Sequence, residues 1–206
     1  MRSSSGHTSI DKLFHEISIC SEEDVHVSTL CLWSTINGKK VRIVPLLSWH
    51  ASDFVPNDAE LSSAERSFDC GAKWPATVNM DSCRSRNSVS VAIADFFSQV
   101  NEHVVDALSP SRGSYKSSDE ITISLSHFLP LNDLAYPKML ERVMGDSKRL
   151  GSQVKALNPT VHLFGHSHIN CQRVVDGTRY VQAALGYERE QCFGIFSTEP
   201  FKLAST

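Results

Sequence analysis

The stretch that decides the fold is Val161-His162-Leu163-Phe164-Gly165-His166-Ser167-His168, a short apolar run that leads straight into Gly-His-x-His. Asn158-Pro159 breaks the chain just before it, so Val161 to Phe164 reads as a short buried strand with a histidine pair just past its end. Two histidines separated by one residue can approach a metal from one short loop, and imidazole suits zinc, iron and other transition ions. Gly165 has no Cβ and is expected to let the backbone turn sharply as it leaves the strand, aiming His166 and His168 into one cavity. About forty residues earlier the pattern recurs: the β-rich run Ile121 to Leu125 stops at Ser126-His127-Phe128-Leu129-Pro130, where the proline ends the strand. A lone His-x-His is common by chance and then marks exposed or structural histidines. His127 makes it more specific, because a third imidazole brings the donor count close to what a transition-metal site needs.

Working outward, Thr178 to Ala183 and Gln172 to Val175 flank Asp176-Gly177, a hairpin signal, and Phe193 to Phe196 could add a last strand. Upstream, helical segments are expected over Pro137 to Leu150 and Ser152 to Leu157. Another is expected over Ser90 to Leu108, where Val91, Ala94, Phe97, Val104 and Leu108 keep close to a helical period before Ser109-Pro110. Trp49 to Arg86 dissolves into Ser, Asp, Asn and Pro, and reads as a long irregular excursion. Val25 to Trp33 and Lys40 to Leu47 form a second hairpin pattern around Asn37-Gly38. The apolar stretch Leu13 to Ile19 supports no firm assignment.

Composition bounds the rest. The chain has 206 residues, 41% hydrophobic and 21% charged, which suits one soluble folded domain. A formal charge of -3 and a pI near 6.3 offer no broad basic surface, so neither nucleic acid nor an anionic membrane is an expected partner. Apolar runs such as Ile43 to Leu47 are far shorter than the roughly 20 residues of a membrane span. The polar start Met1 to His7 lacks the apolar core of a secretory signal, which leads to a cytoplasmic expectation. The cysteines, Cys20, Cys31, Cys70, Cys83, Cys171 and Cys192, form no C-x-x-C pair and read as reduced structural thiols. No Gly-rich phosphate loop, Gly-x-Ser-x-Gly turn or cysteine zinc pattern is present.

The histidine loops resemble those of calcineurin-like metallophosphoesterases, whose later ligand loops read Ser-His and Gly-His-x-His, here Ser126-His127 and Gly165-His166-Ser167-His168. The resemblance extends to Pro45-Leu46-Leu47-Ser48-Trp49, to Phe128-Leu129-Pro130 and to Asp176-Gly177-Thr178-Arg179-Tyr180-Val181-Gln182-Ala183, and covers the chain from about residue 20. It implies an α/β fold, a mixed β-sheet sandwich flanked by helices. It also implies hydrolysis of a phosphate-ester substrate at a centre of two divalent transition metals, Mn, Fe or Zn. His127 and His166 would bind the second metal and His168 the first. His50, beside Trp49, and Arg189, after Tyr187, would lie on the substrate side.

The family's earlier loops, Asp-x-His, Gly-Asp and Gly-Asn-His, have no counterpart here. Asp11 to His15 and Asp24 to His26 hold the right residue types without a clear preceding strand. The domain expectation is therefore an unassigned segment 1–20 followed by 21–206 as the C-terminal part of a calcineurin-like phosphoesterase domain, incomplete and inactive by itself. Two nearby cations repel each other without a bridging carboxylate. The alternative is a catalytically inactive interaction module on the same fold; a mononuclear zinc hydrolase ranks last for want of a nearby general base. Substrate type, whether monoester, diester or phosphoprotein, and oligomeric state stay open.

Overall fold

A computed structural model describes residues 8–33, 38–51, 54, 86–109, 119–134, 141–146 and 148–188. The first element is a helix over the stretch that supported no firm assignment: α1, Ser9–Glu22, opens on a full capping box in which Thr8 and Asp11 each accept from the other's backbone. It closes through Asp24, at φ 56°, with Val25 N donating back to Cys20 O at 2.7 Å. That closure uses the residues expected to start a strand, so β1 is only Leu30–Trp33. Asp11 is thus a capping residue.

β1 runs antiparallel to β2, Lys40–Pro45, with Trp33 opposite Lys40, and Gly38 in the connection is at φ 68°, while Asn37 lies outside the described residues. Helix α2, Arg86–Leu108, leads to β3, Glu120–Leu125. The expected helix over Pro137 to Leu150 is interrupted. A short α3, Glu141–Met144, ends where Gly145 forms a parallel bridge to Leu129, and α4, Lys148–Leu157, begins beyond it. α4 buries Leu150, Gln153, Val154 and Leu157, one face at helical spacing. After β4, Val161–Leu163, comes the hairpin of β5, Cys171–Val175, and β6, Thr178–Gln182. It turns through Asp176 and Gly177 at φ 48° and 82°, the paired left-handed conformation of a type I′ turn.

The six strands form one mixed sheet in the order β1-β2-β3-β4-β6-β5. The central strands β2, β3, β4 and β6 are parallel, and the edge strands β1 and β5 run against them. Val44, Ser124, His162 and Tyr180 stand in register across the four parallel strands and are all buried. On this face Val44 and Tyr180 join Val105 of α2 and Leu150, Val154 and Leu157 of α4 in the main core. The opposite face carries Ile43, Ile123 and Leu125, only partly buried, with Leu163 37% exposed. This is the expected mixed sheet flanked by helices. A second sheet layer is not found among the described residues.

Buried amides lock the helical layer to the sheet. Asn101 of α2 accepts from Leu47 N at 3.0 Å and donates to Leu47 O at 2.8 Å and to Gln153 Oε1 at 3.2 Å. Gln153 Nε2 donates to Ser98 O at 2.7 Å. The chain after β2 is thereby fixed over the helices.

The excursion from Trp49 to Arg86 falls mostly outside the described residues, as do the expected strand Phe193 to Phe196 and Cys70, Cys83 and Cys192. Cys20, Cys31 and Cys171 are free thiols. No described helix is long and apolar enough to cross a membrane.

Candidate metal centre

Adjacent parallel strands end side by side, so the loops that follow β3 and β4 emerge together at the carboxyl edge of the sheet, the usual place for a ligand crevice in such sheets. The ladder continues past the strands: Ser126 N donates to Leu163 O at 3.0 Å, and Gly165 N donates to His127 O at 3.0 Å. His127 and His166 are brought together. His127 Nε2 and His166 Nδ1 lie 3.1 Å apart, with ring centroids at 5.0 Å and planes at 69°.

The protons of this pair can be assigned. His166 Nε2 is 2.9 Å from Val143 O, an acceptor only, so His166 carries its proton there and accepts at Nδ1 from His127 Nε2–H. Buried Phe128 packs on His166 at 4.3 Å and on His127 at 5.0 Å. Burial, first of all, and the neighbouring His127 push the His166 pKa down to about 4, with the Val143 carbonyl opposing and His50 and His168 adding. His127 is lowered by burial and then by His168. At neutral pH both rings are uncharged and keep lone pairs.

The turn between the histidines is not made where Gly165 suggested. The left-handed residues are His166, at φ 69°, and His168, at φ 53°. Ser167 N donates to Gly165 O at 2.9 Å, closing a three-residue turn around His166, a rare and strained conformation for a side-chain-bearing residue. Gln182, buried on β6, secures the far side: its Nε2 donates to Ser167 Oγ at 2.8 Å and to Ile169 O at 2.7 Å.

His168 is near enough to affect both other rings, yet its own ring lies against Tyr187, at 4.8 Å. Among the described residues no three His, Cys, Asp or Glu side chains stand together in a metal-ligating group. His50, expected on the substrate side, is buried, and its ring meets Trp49 at 5.7 Å and Phe128 at 5.8 Å. Arg189 lies outside the described residues.

The residues present fit part of a transition-metal site. Two imidazole nitrogens on one tetrahedral ion, each at about 2.0–2.1 Å from it, sit roughly 3.3 Å apart. The 3.1 Å between His127 Nε2 and His166 Nδ1 is close to that. His166 has its outer nitrogen held by a carbonyl, the usual arrangement for a ligating histidine. The remaining condition is that His127 moves its proton from Nε2 to Nδ1, so that two lone pairs converge. Further ligands are needed beyond this pair.

Three supporting groups escaped the sequence reading. Ser48 Oγ accepts from His127 N and Phe128 N, each at 3.2 Å. His162 and Gln182 are polar residues at inward positions of short strands, fully buried, and that mismatch with an apolar pattern is the signal that marks them.

No family model matches the chain, and no curated protein matches it. The solved structure of a phosphopantetheinyl hydrolase from Mycobacterium tuberculosis is similar, with a TM-score of 0.58 and 18% identity over 97% of this chain and 68% of that one. A second solved structure, 13% identical over 85% of this chain and 52% of that one, has a TM-score of 0.41, too distant to argue from. The first likeness is one of fold.

Proposed function

We propose that this chain is a hydrolase of the metal-dependent phosphoesterase type, contributing His127, His166 and His168 to a two-metal centre that cleaves phosphate esters. The observation that carries the reading is the His127–His166 pair, 3.1 Å apart at the carboxyl ends of neighbouring parallel strands. The similarity of fold to a phosphopantetheinyl hydrolase supports it. Within this reading His127 and His166 hold one divalent ion, Mn, Fe or Zn, and His168 belongs to the other. Such ions, when bound, supply a lowered water pKa and charge stabilisation for phosphoryl transfer.

The chain's own residues supply orientation. Val143 O holds the His166 ring and Ser48 Oγ the His127 backbone, while buried Phe128 packs on His166 and on buried His50. Acidic ligands for a complete centre are sought outside the described residues, since none of them joins the pair. The test is metal content by elemental analysis together with hydrolysis of an aryl phosphate in manganese, for the wild-type chain and for His127→Ala and His166→Ala. The expected result is metal bound by the wild-type chain and lost by both variants, with turnover only in a version extended upstream to carry the family's carboxylate loops. Absence of metal from the wild type in the presence of excess manganese, cobalt and zinc sinks the reading.

One observation favours the second reading, an inactive interaction module on the same fold. His127 and His166 satisfy each other and Val143, so the loop is stable without an ion. That reading expects chelator to leave the melting temperature unchanged, whereas a bound metal adds stability that chelation removes.

A further inference from the structure

We infer that His162 is a positioning residue for His127, acting through Ser126 to fix the turn that aims His127 at His166. His162 lies in the middle of β4 with no exposed surface, between Ser124 of the neighbouring strand and Ser126 just past that strand's end. Its Nδ1 is 2.8 Å from Ser124 Oγ and its Nε2 is 3.1 Å from Ser126 Oγ. Ser126 Oγ is also 2.8 Å from Phe128 O, which can only accept.

That last contact orders all the protons. Ser126 has a single hydroxyl proton and gives it to Phe128 O, so it must accept from His162 Nε2–H. His162 Nδ1 then carries the lone pair, and Ser124 Oγ–H donates to it. The chain of bonds runs from Ser124 through His162 and Ser126 to Phe128 O without a break. Its final link joins the residues on either side of His127.

From the opposite side Ser48 Oγ receives His127 N and Phe128 N, and Gly165 N binds His127 O. The backbone of His127 is clamped both from the core and from the loop. Its ring reaches His166 from that fixed base.

An apolar side chain would fill this interior position without needing partners, and burying an imidazole there has a cost that only complete hydrogen bonding offsets. Burial holds His162 neutral, with its pKa pushed down to about 3, so the bonding order is kept across the neutral range. Tyr180 packs on the ring at 5.6 Å, its plane tilted by 56°. His162 therefore orients rather than ligates. The consequence for metal affinity rests on the metal-ligand reading above; the geometric part does not.

The experiment compares the 206-residue wild type with His162→Gln, which keeps an N–H near the Nε2 position, and His162→Phe, which keeps the ring volume and loses both bonds. Two readouts are taken: cross-relaxation between the His127 and His166 rings by NMR in metal-free protein, and apparent cobalt(II) affinity by titration. His162→Phe is expected to lose the ring-to-ring signal and about tenfold or more in affinity, the usual range for outer partners of metal ligands, and His162→Gln to stay within about threefold of wild type. Ser126→Ala, which removes the link while keeping the imidazole of His162, should behave like His162→Phe and serves if that variant does not fold. An unchanged ring-to-ring signal in both His162→Phe and Ser126→Ala overturns the inference, as does equal loss in the Gln and Phe variants. If wild type binds no cobalt the metal reading fails, and the metal-free NMR comparison still decides the positioning role.

Discussion

His166 donates its Nε2 proton to Val143 O at 2.9 Å, and that bond determines that Nδ1 is the nitrogen facing His127. Nitrogen-15 NMR of the metal-free chain at pH 7 should accordingly show His166 as a neutral Nε2–H tautomer. A protonated ring, or the Nδ1–H tautomer, contradicts the arrangement. Val143 sits just before Gly145 and Asp146, whose backbone binds Leu129 and Ala51, so one short segment positions both the histidine and the loop after β2.

The pH dependence of stability follows from His162 and His166. Their pKa values in the folded chain, about 3 and about 4, lie below the ordinary 6.5, so the unfolded chain binds more protons between those limits. The stability they contribute is fully present above pH 6.5 and is lost as pH falls toward 4 for His166 and toward 3 for His162. Each pH unit in that window removes on the order of 1 kcal/mol for the fully buried His162 and less for the partly solvated His166. Urea denaturation at pH 7, 5.5 and 4.5 should show the decline, and His162→Gln should flatten it. A stability flat from pH 7 to 4.5 in the wild type contradicts both shifts.

The backbone at the turn makes a separate prediction. His166 is at φ 69°, where glycine is at ease and alanine is not. His166→Gly should therefore be more stable than His166→Ala by about 1 kcal/mol, although both lose the same hydrogen bonds. Thermal melts of the pair decide it. If alanine is the more stable of the two, the left-handed turn is wrong.

What the sequence disclosed here was the placement of the histidines, and what it hid was how they are held. The end of β3 near Leu125 and the start of β4 at Val161 were legible because Pro130 and Asn158-Pro159 punctuate short apolar runs, and both hairpins followed from Asn37-Gly38 and Asp176-Gly177. The positive φ at His166 was not legible, since histidine gives no local signal for it and Gly165 drew the expectation. α1 was obscured because it buries little, and its capping box is a pattern of polar residues that also suits a loop. The break at Gly145 comes from a tertiary bridge to Leu129, which no local propensity encodes.

Gly145 and Gly165 should respond oppositely to alanine. A Cβ on Gly165 would meet only His127 O at 3.5 Å and His127 Nδ1 at 3.6 Å, which are ordinary contacts. Gly165→Ala should accordingly shift stability by less than about 1 kcal/mol. A Cβ on Gly145 would overlap ring atoms of Phe54, which is itself buried. Gly145→Ala must expel that ring and should cost about 1–3 kcal/mol. Phe54→Leu combined with Gly145→Ala should recover part of the loss. Equal effects from the two single alanine variants would show that Phe54 does not pack on Gly145.

Asn101 offers the sharpest test of how the helices fix the chain that enters the site. It occupies an inward position of α2, where the periodicity calls for an apolar residue, and its amide answers both backbone groups of Leu47 as well as Gln153. Leucine there would suit the pattern and the helix propensity. It would also leave Leu47 N and O and Gln153 Oε1 without that partner in a buried setting, at about 1–3 kcal/mol for each group that water cannot reach. Asn101→Leu should therefore destabilise the chain by several kcal/mol, while Asn101→Asp should be partly tolerated at Leu47 N and fail at Leu47 O. Because Ser48 follows Leu47 and binds His127 and Phe128, Asn101→Leu should also raise hydrogen exchange at the His127 and Phe128 amides well before global unfolding. Protection at those two amides that stays at the wild-type level would separate α2 from the histidine site.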